Sequence, residues 1–216
     1  RRLNGNYTGA AIEVERTSDG TYQDIGFDAN GDLDESALTT FCTGTTCKVS
    51  KWYDQSQTGG TGSGLDAEQA DDTKQPTIYT GGAIVKDNGR PALNFDNDGF
   101  SAITGSKSEI LFHTSSQGII FNVGNLDANN ASLQVIAETN GTSSVKKGFT
   151  FGVDDRSSQG SNDYGYYQVS AGGGGGDIVS DSQGATFVGS QYLMAVHYDR
   201  ATGIFQYKNG SLLDSV

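Results

Sequence analysis

The chain has 216 residues and a net charge of −12, with 19% charged residues and 31 glycines. An acidic surface repels phosphate backbones, so the charge argues against a nucleic-acid partner. The low charge content and abundant glycine argue against a helical bundle, and ten Tyr and ten Phe argue against disorder, because such rings need a core or a partner. No apolar run is long enough for a transmembrane helix, so we expect no membrane insertion.

Short runs rich in β-branched and aromatic residues dominate the chain, a composition typical of strands. The predicted strands are Val49–Tyr53, Ala92–Phe95, Ile119–Val123, Leu133–Ala137, Phe149–Val153, Tyr164–Val169, Tyr192–Tyr198 and Ile204–Lys208. Polar residues and glycine dominate Gln57–Lys74 and Ser170–Gly184, so these two segments are predicted to be long loops.

One helix is predicted, beginning at Asp32 as the N-cap and ending near Cys42. Glu35 stands three residues after Asp32, which is the spacing of a capping box. Asn209-Gly210 fits a tight type I′ turn, since both central positions need positive φ, and Asp87-Asn88-Gly89 is a similar turn.

Many short strands with one short helix predict an all-β fold, a two-sheet antiparallel β-sandwich of the concanavalin-like jelly-roll type. At this length a single domain over residues 1–216 is expected. The chain begins abruptly at Arg1 and ends in the strand-like run Leu212–Val216, so we expect it to be part of a longer polypeptide.

Cys42 and Cys47 are the two cysteines of the chain. A zinc site would need further thiols or nearby histidines, and His113 and His197 are both distant in sequence. A local disulfide that closes a short loop after the helix fits better, and it implies an oxidising compartment or export from the cell.

Asp28, Asn30 and Asp32 alternate as the oxygen ligands of a calcium loop do. Leu33 stands where that loop has glycine, and Thr39 stands where it has a bidentate acid. The segment is therefore either a Ca²⁺ site or an Asx-rich turn that leads into the helix. No other cofactor is expected.

Carboxylates and aromatic rings occur together in two neighbouring segments, a mixture common in sugar sites. The candidate glycan-binding residues are Asp154, Asp155, Asp163, Tyr164, Tyr166 and Tyr167. The alternative is that these tyrosines are half-buried strand residues. Four Asn-x-Ser/Thr sequons permit N-glycosylation, at Asn6, Asn130, Asn140 and Asn209.

From Tyr7 to about Phe95 the chain resembles the N-terminal part of the catalytic domain of fungal-type α-L-arabinofuranosidase B. The residues that carry the resemblance are Tyr7-Thr8-Gly9-Ala10, Arg16-Thr17-Ser18-Asp19, Asp24-Ile25-Gly26-Phe27, Thr40-Phe41-Cys42, Cys42–Cys47 and Trp52-Tyr53-Asp54-Gln55-Ser56. The resemblance implies that Cys42 and Cys47 form a disulfide. It also implies that Trp52–Ser56 is scaffold. The second half, above all Gln191–Val216, resembles laminin-G or concanavalin-like domains of exported proteins and of phage tail or virion proteins.

The resembled hydrolases place a nucleophilic Glu in Asp-Met-Glu-Asn-Asn and an acidic Asp in Gly-Gly-Asp-Asn, and neither sequence occurs in this chain. We therefore identify no catalytic residue, and these missing sequences argue against an enzyme without closing the question.

The leading prediction is a non-catalytic extracellular, cell-surface or virion-surface module for glycan binding, adhesion or appendage assembly, with carbohydrate or neighbouring subunits as partners. One alternative is a fibre or capsid subunit that is completed by a neighbour's strand. Another is a glycoside hydrolase related to the arabinofuranosidases.

Overall fold

The computed structural model describes residues 1–56, 66–95, 101–102, 117–126, 133–138, 147–154, 164–171, 178–182, 187, 189–199 and 201–215. The chain divides into two compact units, Arg1–Ser106 and Lys107–Val216. The single domain over residues 1–216 stays a prediction.

The described part of the first unit contains nine short strands and one α-helix. The strands are β1 (Ile12–Arg16), β2 (Tyr22–Ile25), β3 (Cys47–Trp52), β4 (Ala67–Glu68), β5 (Thr77–Thr80), β6 (Ala83–Ile84), β7 (Lys86–Asp87), β8 (Arg90–Pro91) and β9 (Ser101–Ala102). The helix is α1 (Glu35–Cys42), and a 3-10 turn covers Asp72–Lys74. In the antiparallel main sheet the order is β2-β1-β3-β4-β9, with β5 paired to β3 and β6 paired to β5.

Period-2 alternation in β1 explains how this sheet separates its two faces. Ile12 and Val14 point into the core, whereas Glu13 and Glu15 point to the opposite face. The core of the first unit combines the apolar face of the sheet with α1, and its buried members are Ala11, Ile12, Val14, Ile25, Leu38, Cys42, Cys47, Val49, Ile78 and Tyr79. The first sheet thus has one dry face and one polar face.

Helix α1 ends at Cys42, as predicted, but its N-cap is Asp34 and not Asp32. The Asp34 carboxylate accepts a hydrogen bond of 2.9 Å from the backbone amide of Ala37, which satisfies one unpaired donor of the first turn. Asp32 lies in the preceding turn, so the predicted capping box with Glu35 is wrong. No helix of the described residues is long and apolar enough to cross a membrane.

In the second unit the residues that the structure describes form eight strands in two antiparallel sheets. They are β10 (Gln117–Gly124), β11 (Leu133–Glu138), β12 (Lys147–Asp154), β13 (Tyr164–Ala171), β14 (Ile178–Ser182), β15 (Tyr192–Asp199), β16 (Gly203–Lys208) and β17 (Ser211–Ser215). The sheet orders are β10-β15-β16-β17 and β11-β12-β13-β14. Phe151 and Val153 of the β11-β12-β13-β14 sheet share a buried core with three residues of the β10-β15-β16-β17 sheet, namely Met194, Val196 and Ile204. The predicted all-β antiparallel sandwich is confirmed.

Both predicted tight turns are confirmed. Asn209 and Gly210 have φ values of 50° and 83°, and Asn88 and Gly89 have 47° and 77°. Asparagine and glycine tolerate this left-handed region, so each pair can join two antiparallel strands directly.

Three predicted segments differ from the structure. Ala92–Phe95 is not a strand, since Asn94 forms only an isolated bridge with Thr77. The predicted loop Ser170–Gly184 contains β14, which pairs with β13. The polar Ser-Asp-Ser end of β14 made the segment resemble a loop in sequence. The predicted loop Gln57–Lys74 contains β4 and the 3-10 turn, and its residues 57–65 lie outside the described part.

Candidate functional site

The polar face of the first sheet carries a row of charged side chains across four strands. The antiparallel register places Asp24 opposite Glu13, Glu13 opposite Lys51, and Lys51 opposite Glu68. Residues that face each other across antiparallel strands point to the same side of a sheet. Along this row Asp24 and Glu13 supply two carboxylates. Lys51 then supplies an ammonium, and Glu68 supplies a third carboxylate.

Glu13 is held by a β-bulge in β3. Ser50 is the extra residue there, since Glu13 pairs with Lys51 while Val14 pairs with Val49. The Ser50 hydroxyl lies 2.8 Å from Glu13 Oε1 and 3.2 Å from the Glu13 carbonyl oxygen. The bulge thus turns a buried serine toward the carboxylate and orients it.

Lys51 and Glu68 form an ion pair, with 2.8 Å between Lys51 Nζ and Glu68 Oε1. This hydrogen bond raises the pKa of Lys51. The Lys51 ammonium also lies 5.5 Å from the centre of the Tyr53 ring, within the range of a cation–π contact. Lys51 is therefore a charged and oriented donor at the centre of the polar face.

Tyr53 joins the row from the end of β3. Its hydroxyl donates a 2.8 Å hydrogen bond to Asp24 Oδ1, and its backbone amide donates to the carbonyl of Ala11. Burial, followed by this bond to Asp24, raises the pKa of Tyr53 above its ordinary value. Tyr53 therefore stays a neutral hydrogen-bond donor at all moderate pH values.

The polar residues after Tyr53 serve the local structure. The Asp54 amide donates to Asp66 Oδ1 at 2.8 Å, and the Ser56 amide donates to Asp54 Oδ1 at 2.8 Å. Gln55 is buried, and its Oε1 accepts a 2.8 Å hydrogen bond from the amide of Leu3. These contacts tie the N-terminal segment and the start of β4 to the end of β3.

Two pockets lie side by side on the polar face and share Gln75. Pocket A has a volume of about 220 Å³ and is lined by Glu15, Arg16, Thr17, Gly20, Lys48, Asp72, Thr73 and Gln75. Pocket B has a volume of about 240 Å³ and is lined by Glu13, Tyr22, Ser50, Lys51, Glu68, Gln69, Ala70 and Gln75. Both are smaller than the sites of drug-sized ligands, and each offers hydrogen-bond donors and acceptors.

Gln75 is 1% exposed and forms the wall common to the two pockets. Its Nε2 donates to Glu15 Oε2 at 2.9 Å and to the Gln69 carbonyl at 3.0 Å. Its Oε1 is buried and has no hydrogen-bond partner among the described residues. The reverse orientation of the amide would place this oxygen against two acceptors, so the observed orientation is the favourable one.

Sequence reasoning did not single out this face. Ile12-Glu13-Val14-Glu15 alternates in the manner of a half-buried strand, and that signal could have found β1 and its two glutamates. Glu68 could not be found in this way, because it lies in a two-residue strand within a predicted loop.

The predicted Cys42–Cys47 disulfide is confirmed, with its Cα atoms 5.8 Å apart. Both cysteines are fully buried in the core of the first unit. The bond connects the end of α1 to the first residue of β3, and it is typical of proteins exported from the cytosol.

The residues of the predicted calcium site form a hydrogen-bonded turn. Asp28 Oδ1 accepts from the amides of Asn30 at 2.8 Å and Asp32 at 2.9 Å, and the Asp28 amide donates to the Asp32 carbonyl. Asp32 Oδ2 also lies 3.4 Å from Arg90 Nη1. Among the described residues no group of three or more His, Cys, Asp or Glu is arranged to hold a metal ion. The Ca²⁺ site stays a prediction.

Strands β12 and β13 bring part of the predicted glycan site together. Asp154 pairs with Tyr164, and Tyr166 and Tyr167 pair with Gly152 and Phe151. Asp155 and Asp163 lie outside the described residues, and glycan contact at these positions stays a prediction.

Two sequons fall within the described residues, and both asparagines are exposed. Asn6 precedes the buried Tyr7, and Asn209 occupies the hairpin between β16 and β17. Asn209 Oδ1 accepts a 2.8 Å hydrogen bond from the Leu193 amide. Asn130 and Asn140 lie outside the described residues.

A family model described as the catalytic domain of α-L-arabinofuranosidase B matches residues 1–91. A probable α-L-arabinofuranosidase B of Aspergillus flavus is 43% identical over 60 residues, which is 27% of this chain and 12% of that protein. α-L-Arabinofuranosidase B of Emericella nidulans is 42% identical over 71 residues, or 32% of this chain and 13% of that protein. The matches therefore concentrate in the first unit.

Solved structures extend the similarity of fold to nearly the whole chain. A GH54 arabinofuranosidase soaked with a cyclic sulfate inhibitor superposes with a TM-score of 0.61 at 20% identity, covering 98% of this chain and 48% of that one. An arabinofuranosidase complexed with arabinofuranosyl-α-1,2-xylobiose gives a TM-score of 0.61 at 20% identity, with 99% and 48% coverage. The chain thus spans about half the length of these structures and about an eighth of the curated relatives.

These matches correct the leading functional prediction. They are to catalytic domains and to glycoside hydrolases, so the prediction of a non-catalytic surface module is wrong, and the glycoside hydrolase alternative is better supported. The predicted kinship with laminin-G domains and with virion or fibre surface proteins is wrong for the same reason. The N-terminal region of this chain matches the catalytic domain of α-L-arabinofuranosidase B, as its resemblance indicated.

Proposed function

We propose that this chain is part of a glycoside hydrolase that acts on α-L-arabinofuranosides. The observation that carries the proposal is the match of residues 1–91 to the arabinofuranosidase B catalytic-domain model. That range includes α1, the Cys42–Cys47 disulfide, β3 and the polar face.

The contacts in the first unit support the proposal, because they use the residues that carry the sequence match. Cys42–Cys47 anchors the start of β3, and Tyr53 and Asp54 anchor its end through Asp24 and Asp66. The residues that carry the resemblance therefore take part in a defined framework in this structure.

Hydrolysis of a glycosidic bond generally requires two carboxylates, one of which acts as an acid. On the polar face Glu13, Glu15 and Glu68 accept hydrogen bonds from Ser50, Gln75 and Lys51. These partners make the three glutamates part of the framework. We therefore assign no catalytic role to them, and the reacting pair is to be found by substitution in the complete protein.

A carbohydrate partner agrees with two solved relatives, one complexed with an arabinofuranosyl xylobiose and one soaked with a nitrophenyl arabinofuranoside. The disulfide supports an extracellular location. There polymeric sugars would be accessible to the enzyme.

Release of 4-nitrophenol from 4-nitrophenyl α-L-arabinofuranoside by the complete protein that contains this chain is the test. The expected result is release from the furanoside and much slower release from the α-L-arabinopyranoside, whose ring has a different shape. Substitution of one Asp by Asn, or of one Glu by Gln, should abolish release while the circular dichroism spectrum is retained, because the reaction depends on a carboxylate. Absence of release by a folded, disulfide-bonded protein would overturn the proposal.

A further inference from the structure

We propose that pockets A and B together form a binding site for two adjacent units of a neutral oligosaccharide. The inference deepens the proposed function and rests on it, since the site would hold the polymer from which arabinose is released.

The shape of the site suits a short chain of sugar rings. The two pockets measure about 220 and 240 Å³, lie next to each other and share Gln75 as their common wall. One sugar unit in each pocket would place the linkage between them over Gln75. A single compact ion would fill neither pocket.

The charges of the site favour a neutral ligand. Pocket A combines Glu15 and Asp72 with Arg16 and Lys48, so its formal charges cancel. Pocket B combines two carboxylates, Glu13 and Glu68, with the ammonium of Lys51, which leaves one negative charge. Hydroxyl groups both donate and accept hydrogen bonds, so a polyol can pair with the ammonium as well as with the carboxylates. The remaining negative charge argues against a phosphate, and among the described residues no group of three or more His, Cys, Asp or Glu is arranged to hold a metal ion.

Gln75 supplies an observation that is independent of the charges. Its Oε1 is buried and unpaired among the described residues, while its Nε2 is engaged by Glu15 and Gln69. A buried acceptor without a partner is unfavourable, and a donor that reaches it recovers the loss. A sugar hydroxyl can donate in this way, whereas a carboxylate or phosphate ligand lacks the proton.

Tyr22 supplies the apolar surface that a sugar ring requires. It lines pocket B, and the residue is 51% exposed. A hydrogen bond to Glu15 raises the pKa of Tyr22 and fixes its hydroxyl. An oriented, exposed ring beside donors and acceptors can stack on the C–H face of a pyranose or furanose.

The first test titrates the complete protein with xylotriose, which carries no arabinose, and follows binding by calorimetry. Tyr22→Ala should weaken binding about tenfold through loss of the stacking surface. The matched control is Trp52→Ala, which removes an exposed ring from the opposite face of the same sheet and should change binding less than about twofold. No binding of xylotriose, or equal loss in both variants, would overturn the inference.

Gln75 is tested without substitution, because its burial makes a variant prone to unfold. On addition of xylotriose the side-chain amide resonances of Gln75 should shift in an NMR spectrum, and those of the buried Gln55 should not. Unchanged Gln75 resonances at saturation would contradict a hydroxyl donor at Oε1.

The two proposals fail separately. Hydrolysis of the aryl arabinofuranoside without any xylotriose binding would overturn the oligosaccharide site and leave the proposed activity. Xylotriose binding that depends on Tyr22, without hydrolysis, would overturn the activity and support the site.

Discussion

The two units of the chain reach an all-β fold by different means. In Arg1–Ser106 the described strands are two to six residues long, and a helix and a disulfide lie between them. In Lys107–Val216 the described strands are five to eight residues long and pair along most of their length. The strand registers shift in both units, so bulges do not distinguish them. The family match falls on the first unit. A helix cap and a disulfide require particular side chains at particular positions, whereas long strands require mainly an alternating pattern.

The buried polar groups follow the same division. Glu15, Ser50, Gln55 and Gln75 are buried in the first unit, and Gln206 is the buried polar residue of the described part of the second. Each buried polar group needs a partner, so it constrains its neighbours in sequence and in space. Among the residues whose burial the structure describes, more of these constrained polar groups lie in the first unit.

Core truncation should be the largest effect and should be similar in the two units. Leu38 and Met194 are both fully buried, one in each core. Leu38→Ala and Met194→Ala should each lower the free energy of unfolding by about 2–5 kcal/mol, measured by urea denaturation. An effect below about 1 kcal/mol in one unit alone would show that its core is not closely packed. The expectation of equally well-packed cores in the two units would then be wrong.

Removal of the disulfide should destabilise the first unit by about 2 kcal/mol, because the closed loop is short. The double variant Cys42→Ser with Cys47→Ser should shift the urea transition of Trp52 fluorescence, which reports on the first unit since Trp52 is the single tryptophan. The wild-type protein under reducing conditions is the control. An unchanged transition would contradict a stabilising role of this bond.

Tyr53→Phe should cost about 1 kcal/mol through loss of the hydrogen bond to Asp24. It should also change the pH dependence. The raised pKa means that folded Tyr53 keeps its proton at alkaline pH values where the unfolded chain releases it. The stabilisation is therefore complete below about pH 10 and is lost as pH rises above that value. A urea series from pH 8 to 11 should show a shallower loss in the variant, and identical slopes would contradict this assignment.

An effect as small as that of Tyr53→Phe is expected at the helix cap. Asp34→Ala should cost about 1 kcal/mol, and Asp34→Asn should cost less because asparagine also caps helices. Asp32→Ala is the matched control for the cap predicted from sequence. A larger loss in Asp32→Ala than in Asp34→Ala would contradict the observed cap.

Local signals predicted the parts of this fold that depend on a few adjacent residues. The Asn209-Gly210 and Asn88-Gly89 turns need positive φ, and only a few residue types supply it. The Cys42–Cys47 bond and the end of α1 were predicted for similarly local reasons.

Features that depend on distant partners were not predictable. β14 has a polar composition and exists because it pairs with β13, and β4 is a two-residue strand between β3 and β9. The polar face likewise depends on the register of four strands. Sequence alone places Glu13, Lys51 and Glu68 far apart, and only the sheet brings them into one row.

The functional prediction failed for a different reason. It gave weight to missing catalytic sequences, although this chain spans about half of the solved relatives. The motifs that are present in the first unit indicated the matching family model better than the absent motifs did.

The most direct measurement is the reaction of the complete protein with arabinofuranosyl-α-1,2-xylobiose, the sugar named for one solved relative. Products would be followed by chromatography over time. The account predicts that arabinose and xylobiose appear in equal amounts as the trisaccharide disappears. A trisaccharide that stays intact in the presence of folded, disulfide-bonded protein would contradict it.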